Sequence, residues 1–228
     1  MSRLAHSFIG LLIGVTSIAL TTIAGAQDSV PVSTDRQLTR MQALTAVENT
    51  QRDMRVAAIS RLAEVGTMSD VDKLIDRLRD DDDNVRELAA AAMWNIWSRS
   101  GDEEIDALYK QGIRQMQAAE MPDALTTFTE VVRRKPGFAE GWNKRATVLY
   151  MMGEHRKSLH DCDEALKRNP KHFGALSGMA QIHVLLGQPE KALEAYEKAI
   201  EINPNLPDAE ENLKVLREAV YERRAKFV

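Results

Sequence analysis

Residues 139–172 read AEGWNKRATVLYMMGEHRKSLHDCDEALKRNPKH, and residues 173–206 read FGALSGMAQIHVLLGQPEKALEAYEKAIEINPNL, in matching register. Pro170 and Pro204 occupy equivalent positions near the ends of these two stretches, and Pro136 lies 34 residues before the first of them. A fixed period of this length is typical of stacked helical repeats, in which each unit contacts mainly its neighbours. The sequence therefore predicts a third, earlier unit at 105–138.

The three aligned units share small residues at fixed positions, and small residues let helices approach closely. Two such columns are Gly112, Ala146 and Ala180, and Ala124, Ser158 and Ala192. A third column falls where the first helix of each pair must end and turn, and glycine suits a left-handed backbone there. That column is Ala119, Gly153 and Gly187. Proline then prevents the second helix of each unit from continuing.

Together these columns resemble the tetratricopeptide repeat, and the resemblance covers residues 105–206. It implies helix pairs stacked into a right-handed superhelix whose concave groove holds a peptide or a partner helix. It also implies an adaptor or scaffold rather than an enzyme. We expect three repeats within 102–206 and a capping helix at 207–228 that covers the end of the stack.

Residues 36–101 carry a weaker repeat with a spacing of 31, seen for example in Arg55 and Arg86. This segment resembles short HEAT-type repeats. The predicted fold class is therefore all-α, a right-handed solenoid of helical hairpins that continues without a free linker across 99–105. Trp94 and Trp97 lie on its last helix, and we expect one or the other to pack on the first tetratricopeptide helix. The alternative is an exposed aromatic anchor for a partner.

Local signals predict where several helices begin. Ser69 and Ser100 each precede a carboxylate by three residues, which is the arrangement of a capping box, so helices should start near 70 and 101. The acidic run 80–83 reads as a solvated turn between two helices rather than a cation site, because it lacks the glycine and the closing glutamate of a calcium-binding loop.

The first 26 residues have the layout of a secretory signal: one basic residue, a long uncharged apolar stretch and an Ala-Gly-Ala ending. We expect a cleaved signal peptide at 1–26, a flexible leader at 27–35 and export to the periplasm. The alternative is an inner-membrane protein anchored by the uncleaved segment. That anchor would be the chain's one connection to a membrane.

Composition and motifs argue against catalysis and against nucleic acid. The formal net charge is −4, which disfavours a nucleic-acid partner. The sequence contains no phosphate-binding glycine loop, no Gly-x-Ser-x-Gly and no Cys-x-x-Cys. His155 and His160 are five residues apart, which places them about 140° from one another around a helix, so they cannot share a metal. We therefore expect no enzyme activity, no cofactor and no metal, and a buried structural role for the single cysteine, Cys162.

The tetratricopeptide resemblance implies which residues line the groove. They are Asp106, Tyr109, Ile113 and Met116, then Glu140, Asn143, Thr147 and Tyr150, then Gly174, Ser177, Gln181 and Val184. The expected partner-binding residues are Tyr109, Ile113, Met116, Asn143, Thr147, Tyr150, Ser177 and Gln181. Tyr109, Asn143 and Tyr150 are the expected principal contacts. Gly174 and Gly178 stand where a clamp for a terminal carboxylate would need basic residues, which argues against acidic chaperone tails.

The sequence leaves two other functions open besides a groove-binding adaptor. One is a structural spacer or oligomerisation module whose groove is only an inner surface. The other is a non-catalytic assembly factor for an envelope complex. The sequence indicates neither the partner nor the oligomeric state.

Overall fold

The computed structural model describes residues 37–225, and within that range the chain forms eleven α helices, one short 3-10 turn and no strand. The helices are α1 Arg40–Ala46, α2 Arg52–Val65, α3 Val71–Arg77, α4 Asp83–Trp97, α5 Glu103–Gln117, α6 Met121–Arg134, α7 Ala139–Met151, α8 His155–Arg168, α9 Phe173–Leu185, α10 Pro189–Ile202 and α11 Ala209–Ala225. The all-α fold is confirmed. The expected signal peptide, leader and last three residues lie outside the described range.

Helices α5 to α10 form three antiparallel pairs, as the period of 34 predicts. The first helix of each pair ends in a residue with left-handed backbone, and the φ angles are 59° at Ala119, 78° at Gly153 and 67° at Gly187. Each second helix ends two residues before its proline, for example at Arg134 before Pro136. The turn chemistry that we expected from the sequence is therefore confirmed.

Close packing within each pair depends on the small-residue columns. A side chain at Gly112 would place its Cβ 2.6 Å from the ring of Phe128, so the first pair could not close around a larger residue. Cys162 is buried in the equivalent core of the second pair, which confirms its expected place. Burial and the neighbouring carboxylates Asp161 and Asp163 raise the pKa of the Cys162 thiol well above its ordinary value, so the group stays protonated.

The caps of the N-terminal helices differ from those that we expected. Thr67, and not Ser69, forms the capping box with Asp70, and Asp102, and not Ser100, accepts from the first amides of α5. The expected helix starts near 70 and 101 nevertheless hold. The acidic run is not fully solvated, because Asp80 is buried and pairs with Arg55 at 2.7 Å and Arg77 at 3.2 Å. These partners lower the pKa of the Asp80 carboxyl although burial opposes them.

The N-terminal segment, residues 37–100, does more than extend the stack at one end. Its apolar core is continuous with Phe173, Leu176 and Ala199 of the third repeat. Polar contacts reinforce this closure: the Asn205 side chain donates to the Leu78 carbonyl at 2.6 Å, and the Arg79 guanidinium donates to the Glu201 carbonyl. The chain thus folds back on itself, which the expectation of a simple linear solenoid did not include.

Helix α11 covers the far side of the third repeat. Leu216 is buried in a cluster with Ala192 and Tyr196 of α10, and the Asn212 side chain donates to the Tyr196 hydroxyl at 3.0 Å. No helix within residues 37–225 has the length and apolar character needed to cross a membrane.

Candidate functional site

The residues that line the groove separate into two groups once the structure is known. Five of the eight expected contacts are buried, namely Tyr109, Asn143, Thr147, Ser177 and Gln181. The other three, Ile113, Met116 and Tyr150, are half-buried. The buried group includes the residues near the amino-terminal ends of α5, α7 and α9, and Met116 and Tyr150 lie near the carboxyl ends of α5 and α7. The two ends of the groove therefore differ in accessibility.

A buried carboxylate organises the amino-terminal end. Glu140 accepts hydrogen bonds from the Tyr109 hydroxyl at 3.1 Å and from the Asn143 amide at 2.9 Å. The Lys144 ammonium lies 3.2 Å from it, and His172 Nε2 lies 2.7 Å from it. His172 Nδ1 accepts the Ala175 backbone N–H at 3.1 Å, so the ring hydrogen lies on Nε2 and is donated to Glu140.

This network keeps Glu140 charged. Burial alone would raise the pKa of the carboxyl, but the Lys144 ammonium and the hydrogen bonds from His172 and Asn143 lower it to about 2. Burial and the Glu140 charge together raise the pKa of Tyr109 well above its ordinary value, so the phenol remains a donor. The arrangement links the first helices of all three repeats through one ion.

Two tryptophans of α4 close this end of the groove. The Trp97 ring stacks on His172 with centroids 4.5 Å apart, and the Trp94 ring meets Phe173 edge-on at 5.4 Å. The Lys144 ammonium lies 5.3 Å from the centre of the Trp94 ring. Gly174 has no side chain to clash with Trp94, whose ring occupies the space that a Cβ would take. We call this end, formed by Tyr109, Glu140, Asn143, Gly174 and Ser177, the closed end.

These contacts correct two expectations. The ring contacts of the tryptophans are with the third repeat and not with the first tetratricopeptide helix. Tyr109 packs against Phe128 and Phe138 and is 6% exposed, so it serves as a structural residue here rather than as a principal contact for a partner. Its replacement by alanine should disturb folding, because it removes a buried ring and a hydrogen bond to a buried charge.

The opposite end of the groove remains accessible and apolar. Met116, Tyr150 and Val184 occupy the same position of successive first helices and are half-buried. The next residues along α7 and α9, Met151 and Leu185, are 49% and 43% exposed. We call these five residues the open lip. Large apolar side chains exposed together in this way are a feature of binding surfaces.

One groove residue between the two ends, Gln181, has a buried side-chain amide without hydrogen-bond partners among the described residues. Gln181 is 2% exposed, and both its amide oxygen and its amide nitrogen lack a hydrogen-bond partner among the described residues. By contrast, the Thr147 hydroxyl donates a hydrogen bond to the Asn143 backbone carbonyl at 3.0 Å. The expected ability of Gln181 to bond an extended backbone stays a prediction.

Within residues 37–225 no three His, Cys, Asp or Glu side chains are grouped so that they could hold a metal ion. His155 begins α8 and its ring lies 5.6 Å from that of Tyr150, whereas His160 points to Asp161 at 3.2 Å. His183 is buried and bonds to Gln188.

Comparisons with known proteins agree with the repeat architecture. Residues 139–172 and 174–206 each match the family described as Tetratricopeptide repeat. A TPR repeat-containing protein of Rhizobium etli is 42% identical over 86 residues, which are 38% of this chain and 42% of that protein. The match thus spans about two fifths of the length of the curated relative.

Solved structures show the same fold. The first TPR of Spaghetti (RPAP3), solved with an HSP90 peptide, is 20% identical and superposes with a TM-score of 0.51 over 52% of this chain and 94% of that one. The Sgt2 TPR domain from Aspergillus fumigatus is 25% identical, with a TM-score of 0.51 over 54% of this chain and 83% of that one. Residues 139–206 are therefore tetratricopeptide repeats in sequence and in structure.

Proposed function

We propose that this tetratricopeptide repeat protein is an exported, non-catalytic adaptor that binds a peptide or helix of an envelope protein along the open lip. The observation that carries the proposal is the accessible apolar row at the carboxyl ends of α7 and α9, with Met151 and Leu185 exposed beside half-buried Tyr150. The peptide in the Spaghetti structure is consistent with a ligand of this class. The closed end holds the lip in shape but has no free surface to offer.

The geometry favours an apolar, roughly linear ligand. Tyr150 supplies a ring and a hydroxyl at the centre of the row, and tyrosine is one of the residues that contribute most to binding at interfaces. Methionines on either side adapt to different apolar partners. A ligand segment with apolar side chains spaced to follow the helix ends would bury them without disturbing the Glu140 network.

Affinity capture from an envelope extract tests the lip. The chain from Gln27 serves as bait beside a Tyr150→Ala, Val184→Ala variant, and we expect the variant to recover the captured protein at least about tenfold less, as for loss of a central aromatic contact. The matched control is Met41→Ala on α1, because Met41 is 69% exposed and belongs to the N-terminal segment rather than to the repeats. Circular dichroism checks that each variant is folded.

The two alternatives make different predictions. Equal capture by the wild type and the lip variant would contradict the adaptor proposal. A stable oligomer in light scattering at micromolar concentration, with no captured partner, would favour the spacer or oligomerisation module instead. Export is tested separately: the mass of the protein recovered from cells should correspond to a chain starting near Gln27, and a full-length mass in the membrane fraction would favour the anchored form.

A further inference from the structure

A second surface lies on the opposite side of the repeats from the groove. It is a crease of about 460 Å³ between α6 and α8, with α7 as its floor. Its lining residues are Leu125, Thr129, Arg145, Leu149, Arg156, Lys157, His160 and Asp161. Arg145 and Leu149 lie about 160° around α7 from the groove residue Thr147, so the crease and the groove are separate surfaces.

The crease is basic although the chain as a whole carries a formal net charge of −4. Its one carboxylate, Asp161, is already bound by the Arg145 guanidinium through two hydrogen bonds of 2.6 and 2.8 Å. The Arg145 head is further fixed 4.8 Å from the centre of the Trp142 ring. Arg145 and Asp161 therefore neutralise each other, and the crease contains further cations that do not take part in this pair.

Those additional cations are Arg156 and Lys157. Among the described residues Arg156 has no carboxylate within ion-pair distance. Lys157 pairs at 3.1 Å with Glu154, but both side chains are well exposed, and such a surface pair contributes little stability and exchanges readily for another partner. His160 is exposed beside them, with its Nδ1 3.2 Å from Asp161. An anionic group that enters the crease would meet Arg156, which has no carboxylate partner among the described residues, and Lys157, which is held only by an exposed pair.

An apolar floor lies under these charges. Leu149 is buried and Leu125 is half-buried, and the small apolar area that they leave accessible lines the crease. A ligand that matches the whole surface thus needs both carboxylates and one large apolar side chain. A small inorganic anion would use the cations but leave the apolar floor uncovered.

The equivalent surface one repeat later is more acidic, although Lys157 is matched there by Lys191. A shift of 34 residues replaces Arg156 with Glu190 and His160 with Glu194, and Thr129 with Asp163. The basic crease is therefore particular to the junction of the first and second repeats and does not follow from the repeat pattern.

We propose that this crease docks an internal acidic segment of a partner protein, with one large apolar side chain of that segment seated on Leu125 and Leu149. The acidic class follows from Arg156, which has no carboxylate partner among the described residues, and from Lys157, which is held only by an exposed pair with Glu154. The apolar residue follows from the floor. This docking site is distinct from the open lip and does not depend on it.

The test uses the full chain and a fluorescein-labelled peptide with blocked termini, in which five glutamates stand on each side of one leucine. We expect saturable binding by fluorescence anisotropy, weakened by added salt because the charges are exposed. Replacing the glutamates with glutamine, or the leucine with serine, should each raise the Kd, the first by at least about tenfold. Blocked ends exclude recognition of a terminal carboxylate.

The decisive variant is Arg156→Glu, Lys157→Glu, which should raise the Kd at least about tenfold. Acidic residues are tolerated at both positions, because the third repeat has Glu190 and the first has Asp123 there. The matched control is Lys191→Glu, Lys198→Glu on α10, which changes the net charge equally and should leave the Kd within about twofold.

Four results would overturn the proposal: no binding by the wild type, equal binding of the glutamine peptide, equal loss in the control variant, or displacement of the peptide by a single-stranded RNA oligonucleotide. The lip variant Tyr150→Ala, Val184→Ala should bind the acidic peptide normally. Loss of binding in that variant would place the peptide in the groove, so the failure of this proposal is distinguishable from the failure of the adaptor function.

Discussion

The two ends of the groove are built from the same three helices, α5, α7 and α9, yet one is closed and the other is open. At the closed end the α4 tryptophans stack on His172 and Phe173, and Glu140 draws together the first helices of all three repeats. At the open lip Tyr150, Met151 and Leu185 have no such covering. The difference shows that a groove position in a repeat protein acquires its role from what the rest of the chain places against it.

The largest expected effect comes from removing the ring that closes the groove. Trp97→Ala should reduce the free energy of unfolding by about 3–5 kcal/mol, because Trp97 is 3% exposed within the core that joins the N-terminal segment to the third repeat. Urea denaturation followed by circular dichroism measures it. Trp142→Ala is the matched control, since Trp142 is half-buried outside this core, and it should cost about 1 kcal/mol. Equal costs would mean that the closed end is not an integral part of the fold.

The second prediction concerns the charge at the closed end. A pKa that falls from 4.5 to about 2 on folding means that ionised Glu140 stabilises the fold by about 3 kcal/mol above pH 4.5. That contribution is lost as the pH falls from about 4.5 towards 2. Glu140→Gln should therefore destabilise the protein by about 2–3 kcal/mol at neutral pH and flatten the acid side of the curve of stability against pH.

The control for this charge is Glu104→Gln. Glu104 forms an exposed pair with Arg134, and its replacement should cost less than about 0.5 kcal/mol and leave the acid side unchanged. If the free energy of unfolding of Glu140→Gln still fell with decreasing pH below about 4.5 as it does in the wild type, the Glu140 carboxylate would not be what holds the closed end together.

The third prediction compares two glycines one turn apart on α9. Gly174→Ala would drive a Cβ into the Trp94 ring and should cost about 1–3 kcal/mol. At Gly178 the nearest atom to a new Cβ is Cys162 Sγ at 4.0 Å, so Gly178→Ala should be neutral or stabilising by up to about 1 kcal/mol. Thermal unfolding distinguishes them, and the same sign for both variants would contradict the placement of Trp94.

The smallest effect lies in a turn beside the open lip. Ala119 has φ 59° where the two later repeats have glycine, so Ala119→Gly should relieve strain and stabilise the protein by about 0.5 kcal/mol. Gly153→Ala makes the reverse change and should destabilise by about 1 kcal/mol. Denaturant midpoints measure both, and a destabilising Ala119→Gly would show that the left-handed turn is not strained.

The sequence predicts the repeats well because their physics is local. Proline positions, left-handed turn residues and small-residue columns act within one unit of 34 residues, and each was found where the period required it. From the sequence, Gly174 indicates only that a basic residue for a carboxylate clamp is missing at this position. The structure supplies the other reason, which is the ring of Trp94.

The closure could not be predicted from the pattern. It joins residues that are far apart in the chain, as in the pair of Asp72 and Lys171, which are 99 positions apart. No periodicity relates such residues. The burial of Tyr109 could not be predicted either, because its hydroxyl contacts Ser98 and Glu140, which both lie outside its own repeat.

A double-mutant cycle on Trp94 and Gly174 tests the central claim most directly, which is that α4 closes the groove by placing its tryptophan where a side chain of α9 would stand. The account predicts that Gly174→Ala costs about 1–3 kcal/mol in the wild type but becomes neutral or stabilising in a Trp94→Ala background, because the clash is gone. An unchanged cost of Gly174→Ala in that background would contradict the account.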